Sequence, residues 1–62
     1  MERNSRKLIR KLKADGWVVV AQRGSHVQLK HPQKLGRVTV PDPRRDLPTG
    51  TVRSIYRQAR WL

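Results

Sequence analysis

Three short strand-like runs in the middle of the chain are joined by connections too short for a crossover, and this decides the topology. Trp17-Val18-Val19-Val20-Ala21 is aromatic and β-branched, which suits a strand better than a helix. Gln22-Arg23-Gly24-Ser25 reads as a turn, since Gly24 reaches a positive φ cheaply and Ser25 can bond locally. His26-Val27-Gln28-Leu29-Lys30-His31 alternates: Val27 and Leu29 point one way, His26, Gln28 and Lys30 the other. Pro32 deletes a ladder donor and ends the run. Gln33-Lys34-Leu35-Gly36 turns the chain into a third strand, Arg37-Val38-Thr39-Val40, with Val38 and Val40 inward. Parallel neighbours need a crossover of a dozen or more residues, so these strands form an antiparallel meander. The first run lacks alternation and, being apolar on both sides, is expected to be central or covered.

Helices flank the strands. Asn4 or Ser5 can cap a helix over residues 5–14, in which Leu8, Ile9 and Leu12 form one apolar stripe and Gly16 supplies the stop. Arg6, Lys7, Arg10, Lys11 and Lys13 take up the remaining helix surface. Pro41, Pro43 and Pro48 exclude regular structure from residues 41–48. Thr49 or Thr51 is the expected cap of a second helix, with Val52, Ile55 and Ala59 inward and Arg53, Arg57 and Arg60 outward. Leu47 is placed to act as a hydrophobic staple. The reading is an α+β fold, α-β-β-β-α: a three-stranded antiparallel sheet with two helices on one face, as a single domain over residues 1–62. The other sheet face, which carries His26, Gln28 and Lys30, is left to water.

Charge narrows the partners. Fifteen Lys and Arg against four acids give a formal charge of +11, which works against compactness by self-repulsion. A polyanion is implied: nucleic acid first, or an acidic protein that masks the charge. The N-terminus lacks the apolar stretch of a signal peptide and no run approaches membrane-spanning length. With no cysteine, the expectation is a soluble protein of the reducing cytoplasm, without membrane contact.

Few groups are available for chemistry. There is no thiol nucleophile and no Gly-rich phosphate loop. Glu2, Asp15, Asp42 and Asp46 are too scattered to hold the two metal ions of a metal-dependent nuclease. No metal or cofactor is therefore expected, and a nuclease built this way is directed to RNA, whose 2′-hydroxyl is a built-in nucleophile. His26 is the candidate general acid or base. Around it, Gly24 permits close backbone approach, Ser25 offers a hydroxyl, and Arg23, Lys30 and Lys34 can hold the RNA backbone. His31, five residues on, faces the other side of a continuous strand and is not its partner. Trp17 reads as core, and Trp61 as a packing anchor or a partner contact.

Ser5-Arg6-x-Leu8-Ile9, Asp15-Gly16-Trp17, Gly24-Ser25-His26, Val38-Thr39-Val40-Pro41 and Gly50-Thr51-Val52-Arg53-Ser54-Ile55 together resemble the HicA family of mRNA-interferase toxins, over nearly the whole chain. The resemblance implies a fold like the double-stranded RNA-binding domain and cleavage of mRNA within a type II toxin–antitoxin system. It also implies an essential role for the motif histidine, which falls on His26, and neutralisation in a hetero-oligomer with a HicB-type antitoxin. Asp42 stands where many relatives carry a histidine, and Ala59-Arg60-Trp61-Leu62 where relatives often end the last helix with glycine. The alternative from another class is a non-catalytic double-stranded RNA-binding module, which works by shape and phosphate contacts and needs no histidine.

Overall fold

The computed structural model describes residues 1–62, in the order α1 (Ser5–Ala14), β1 (Val18–Arg23), β2 (His26–Lys30), β3 (Arg37–Pro41), α2 (Thr49–Gln58). The α-β-β-β-α order expected from sequence is the order observed.

Asn4 caps α1, its side chain accepting the Lys7 N–H at 3.1 Å. Ser5 thereby becomes the first helical residue and is fully buried, in line with Leu8 and Leu12. The basic residues of α1 are exposed, with the Lys11 ammonium lying over the Tyr56 and Trp61 rings. At the other end Gly16 adopts φ +100°, donating to Lys13 O while Trp17 N–H reaches back to Leu12 O, both at 3.0 Å. This pair of bonds is a Schellman stop, with Trp17 burying its ring beside Leu12 in the core.

The sheet runs β1-β2-β3, antiparallel throughout. Val27 and Leu29 on β2 and Val38 and Val40 on β3 are buried against the helices, as their alternation requires. Pro41 extends β3 by one residue and pairs with His26. The first strand departs from expectation. It begins at Val18, runs to Arg23 and forms an edge, with Val18, Val19 and Val20 exposed by 58, 38 and 48%. Both helices pack over β3, so the far side of the sheet is left uncovered. A bulge between Val19 and Ala21 resets the pairing, which is why no clean alternation is visible there.

The proline loop folds back on the N-terminus: Ser5 N–H donates to Arg44 O and Leu47 N–H to Arg3 O, each at 2.8 Å. Leu47 is fully buried and Val52 nearly so, at the positions of a hydrophobic staple. No threonine caps α2. Pro48 holds the cap position without a side-chain bond, because Thr49 Oγ1 instead accepts from Arg3 Nη1 at 2.9 Å. Tyr56 joins Val52, Ile55 and Ala59 on the buried stripe, and its hydroxyl accepts from Glu2 N–H at 2.9 Å and Lys11 Nζ at 3.1 Å.

The end of α2 repeats the end of α1. Arg60 N–H donates to Arg57 O at 3.0 Å and Trp61 N–H to Tyr56 O at 2.9 Å, with Arg60 at φ +65° where α1 has glycine. Each helix therefore closes on a tryptophan, and both indoles donate to one atom: Asp15 Oδ2 accepts from Trp17 Nε1 at 3.2 Å, Trp61 Nε1 at 3.1 Å and Lys34 Nζ at 2.8 Å. Trp61 is thus a packing anchor, edge-on to Tyr56 with ring centroids 5.0 Å apart.

Two predictions follow from these helix ends. Replacing Arg60 with glycine relieves a left-handed L-residue, worth about 1–2 kcal/mol, against a loss of about 0.5–1 kcal/mol from the looser unfolded chain. The expected net gain, centred on about 0.75 kcal/mol within a span of about 0–1.5 kcal/mol, is measured by denaturant unfolding. Second, the Lys34 and Trp61 bonds lower the Asp15 pKa, and the Asn4 N–H lowers that of Glu2. A depressed folded-state pKa gives stability that is present above the unfolded value and lost as pH falls through the folded one. The unfolding midpoint should therefore drop below about pH 4, and Asp15→Asn should flatten that part of the profile.

Candidate active site

His26 opens β2 and is exposed, on the face opposite Val27 and Leu29. Its cross-strand partner is Arg23, so the imidazole and guanidinium start from Cβ atoms about 5 Å apart on the open face. The link between them is the two-residue turn Gly24-Ser25. Gly24 has φ +54°, as the first position of a II′ turn requires. A Cβ there would meet nothing within 4 Å, so glycine is needed for its conformation and not for space.

The turn is held from below. Ser25 O accepts the Asp42 N–H at 2.7 Å. The Asp42 carboxylate accepts from Ser5 Oγ at 2.6 Å, and Ser5 Oγ accepts in turn from Arg44 N–H at 2.8 Å. Arg6 Nε stands 3.7 Å from the same carboxylate. One chain of bonds thus joins the start of α1, the exit of β3 and the turn before His26. Ser5 is the buried polar side chain that makes it possible. Asp42 is thus an acceptor committed to Ser5.

Beside this junction, a groove of about 720 Å³ separates α1 from β1. Arg6, Arg10 and Lys13 line its helix wall, and Val19, Gln22 and Val27 its sheet side. Spacing 6-10-13 puts the three cations on one stripe, a pattern visible in the sequence. That this stripe faces β1 is not visible, because the bulge hides which residues of β1 point towards the helices.

The expected RNA contacts separate into two groups. Arg23, Gly24 and Ser25 gather with His26, and Lys30 lies exposed on the same face, four residues along β2, or about 13 Å. Lys34 does not join them. Its ammonium is bonded to Asp15 Oδ2 and to Ala59 O at 3.1 Å, beside the C-terminal ends of both helices. That is the length of α1, about 15 Å, away from Ser5 and the turn.

His31 has a structural role. Its Nδ1 accepts from Gln33 N–H at 3.0 Å, which leaves Nε2–H to donate to Asp15 O at 2.8 Å. The ring stands edge-on to Trp17 with centroids 5.3 Å apart. A Cβ on Gly16 would lie 2.8 Å from Nε2, so the glycine serves both the helix stop and this histidine.

An exposed histidine thus stands beside arginine at the end of a two-residue turn in a strongly basic α+β fold. Comparison with known protein families places the chain among the toxins of bacterial toxin–antitoxin systems. The family model for the HicA toxin matches residues 5–61 of the 62. The chain belongs to the HicA toxin family. Comparison with curated proteins gives no match. No helix is long and apolar enough to cross a membrane.

Ser5→Ala tests the support beneath the turn. It strands the Arg44 N–H and removes the donor to Asp42, so a loss of about 1–3 kcal/mol is expected in denaturant unfolding. Ser5→Thr, which keeps the hydroxyl but crowds a fully buried site, should lose less than Ser5→Ala only if the bonds outweigh the packing.

Proposed function

We propose that this toxin is an endoribonuclease that cleaves mRNA without a metal ion, with His26 as its general acid or base. The observation that carries the reading is His26 itself: exposed, cross-strand from Arg23, on a turn fixed by Asp42. Histidine is the side chain best suited to proton transfer near neutral pH, and a positioned one gives about 10²–10⁴-fold in rate. In the proposed reaction the 2′-oxygen attacks the adjacent phosphorus and the bond to the 5′-oxygen breaks. One proton leaves the 2′-hydroxyl and one arrives at the 5′-oxygen, and His26 handles one of these transfers. Arg23 and Lys30 hold phosphates, while Gly24 and Ser25 let the RNA backbone approach the turn.

The four carboxylates support a route without metal. Glu2 bonds the backbone of Arg3 and Asn4, Asp15 the two indoles and Lys34, Asp42 Ser5, and Asp46 Arg3. No three acids or histidines converge as a ligand set. In this reading residues 1–62 work as one domain in the cytoplasm, where mRNA is met, and a HicB-type antitoxin holds the toxin in a hetero-oligomer until release.

His26→Ala should abolish cleavage of an mRNA substrate while leaving unfolding and salt-dependent RNA binding intact. Wild-type cleavage should survive EDTA and leave 2′,3′-cyclic phosphate or 3′-phosphate ends. An unchanged rate in His26→Ala would remove the histidine from the mechanism, and 5′-phosphate ends would exclude attack by the 2′-hydroxyl. Salt-dependent binding of duplex RNA without any cleavage would instead make the chain a binding module.

A further inference from the structure

The two edges of the sheet are treated differently. At β3 the outward Thr39 N–H is taken by Gln58 Oε1 at 3.1 Å, and both helices pack over that side. At β1 the bonds outside the strand ladder include none from Val18–Arg23, and three consecutive valines are exposed. Such an edge is a template for another strand, and proteins blunt it with charged residues, proline or a bulge. Val18–Gln22 contains no charge and no proline; one bulge lies between Val19 and Ala21, and Arg23 closes the strand.

Immediately above this edge lies the α1 groove, with cations on one wall and Val19 and Val27 on the other. Arg10 and Lys13 have no carboxylate partner, and Arg6 has only Asp42 at 3.7 Å. We propose that β1 accepts, as a fourth strand, an extended acidic segment of another protein, whose alternate side chains set carboxylates against Arg6, Arg10 and Lys13. The proposal rests on the reading that a protein antitoxin holds this toxin, and it gives that partner a surface and a chemistry.

Three observations favour this occupant. A row of backbone donors and acceptors is matched by another polypeptide backbone, with alternate side chains supplying specificity. Nucleic-acid bases would seek aromatic platforms, but Trp17, Tyr56 and Trp61 are packed at the helix ends and none lines the groove. A second copy of this chain carries the same +11 charge, and its four acidic side chains are already engaged within the fold.

The test uses the full chain and two capped decapeptides: one of alternating Glu and Val, the other the same peptide N-methylated throughout. The second keeps the charges but cannot donate backbone hydrogen bonds. Hydrogen exchange of the Val18–Gln22 amides should slow at least about tenfold with the first peptide, and the second should bind at least about tenfold more weakly. Arg10→Glu should weaken the first peptide as well. Equal binding of the two peptides, no binding by the first, or unprotected β1 amides at saturation would each overturn the proposal. So would an RNA dodecamer that protects the same β1 amides, since the surface would then belong to the substrate. Cleavage is assayed separately: protection of β1 in a chain that cuts no RNA would refute the nuclease and leave this surface standing.

Discussion

The fold depends on one oxygen atom. Asp15 Oδ2 receives two indole N–H groups and a lysine ammonium, and none of these can accept a bond. The ionised carboxylate is the form these donors favour, and the Lys34 and Trp61 bonds hold the Asp15 pKa below its usual range. Through that atom the stop of α1, the start of β1, the turn before β3 and the tail after α2 are fixed to one another. His31 adds a fourth tie by donating to the carbonyl of the same residue. In a chain this short, with a core of 12 residues, the interior alone gives little margin. A polar hub with neutral and charged donors at its rim pins the helix ends that the small core cannot.

The molecule is thereby divided. The end at Asp15 carries the two tryptophans, His31 and Lys34, all committed to one another. The opposite end carries Ser5, Asp42 and the Gly24-Ser25 turn, and there His26 and Arg23 project outward. Two histidines of similar sequence context thus differ completely: both ring nitrogens of His31 are used inside the fold, while His26 has its face to water. Every acidic side chain is already engaged by a hydrogen bond or ion pair within the fold, so the surplus of positive charge has nothing of its own to pair with and looks outward.

Much of this was legible in the sequence, for reasons that can be named. Residues 5–14 carry a cap, an apolar stripe and a glycine stop, and each acts within a turn of its neighbours, so α1 was readable from local chemistry. His26 was placed on the open face by the parity of Val27 and Leu29 alone. Illegible features were those decided at long range. Thr49 does not cap α2, because an arginine 46 residues away takes its hydroxyl. Lys34 reads from sequence as one more basic side chain for the RNA backbone, and nothing local shows that Asp15 lies within its reach. A run apolar on both sides reads as a central or covered strand, yet β1 is an exposed edge. Its exposure follows from where the helices settle, and its missing alternation from a bulge that no residue type announces.

The placement of the two indoles has a practical consequence. Trp17 and Trp61 are the only tryptophans in the chain, and both report from the same carboxylate. Intrinsic emission from this protein is therefore a gauge of the joint between the helix ends, sensitive to loosening of that joint. The Gly24-Ser25 turn lies the length of α1 away and has no fluorophore of its own, so occupancy there is optically silent unless a label is introduced.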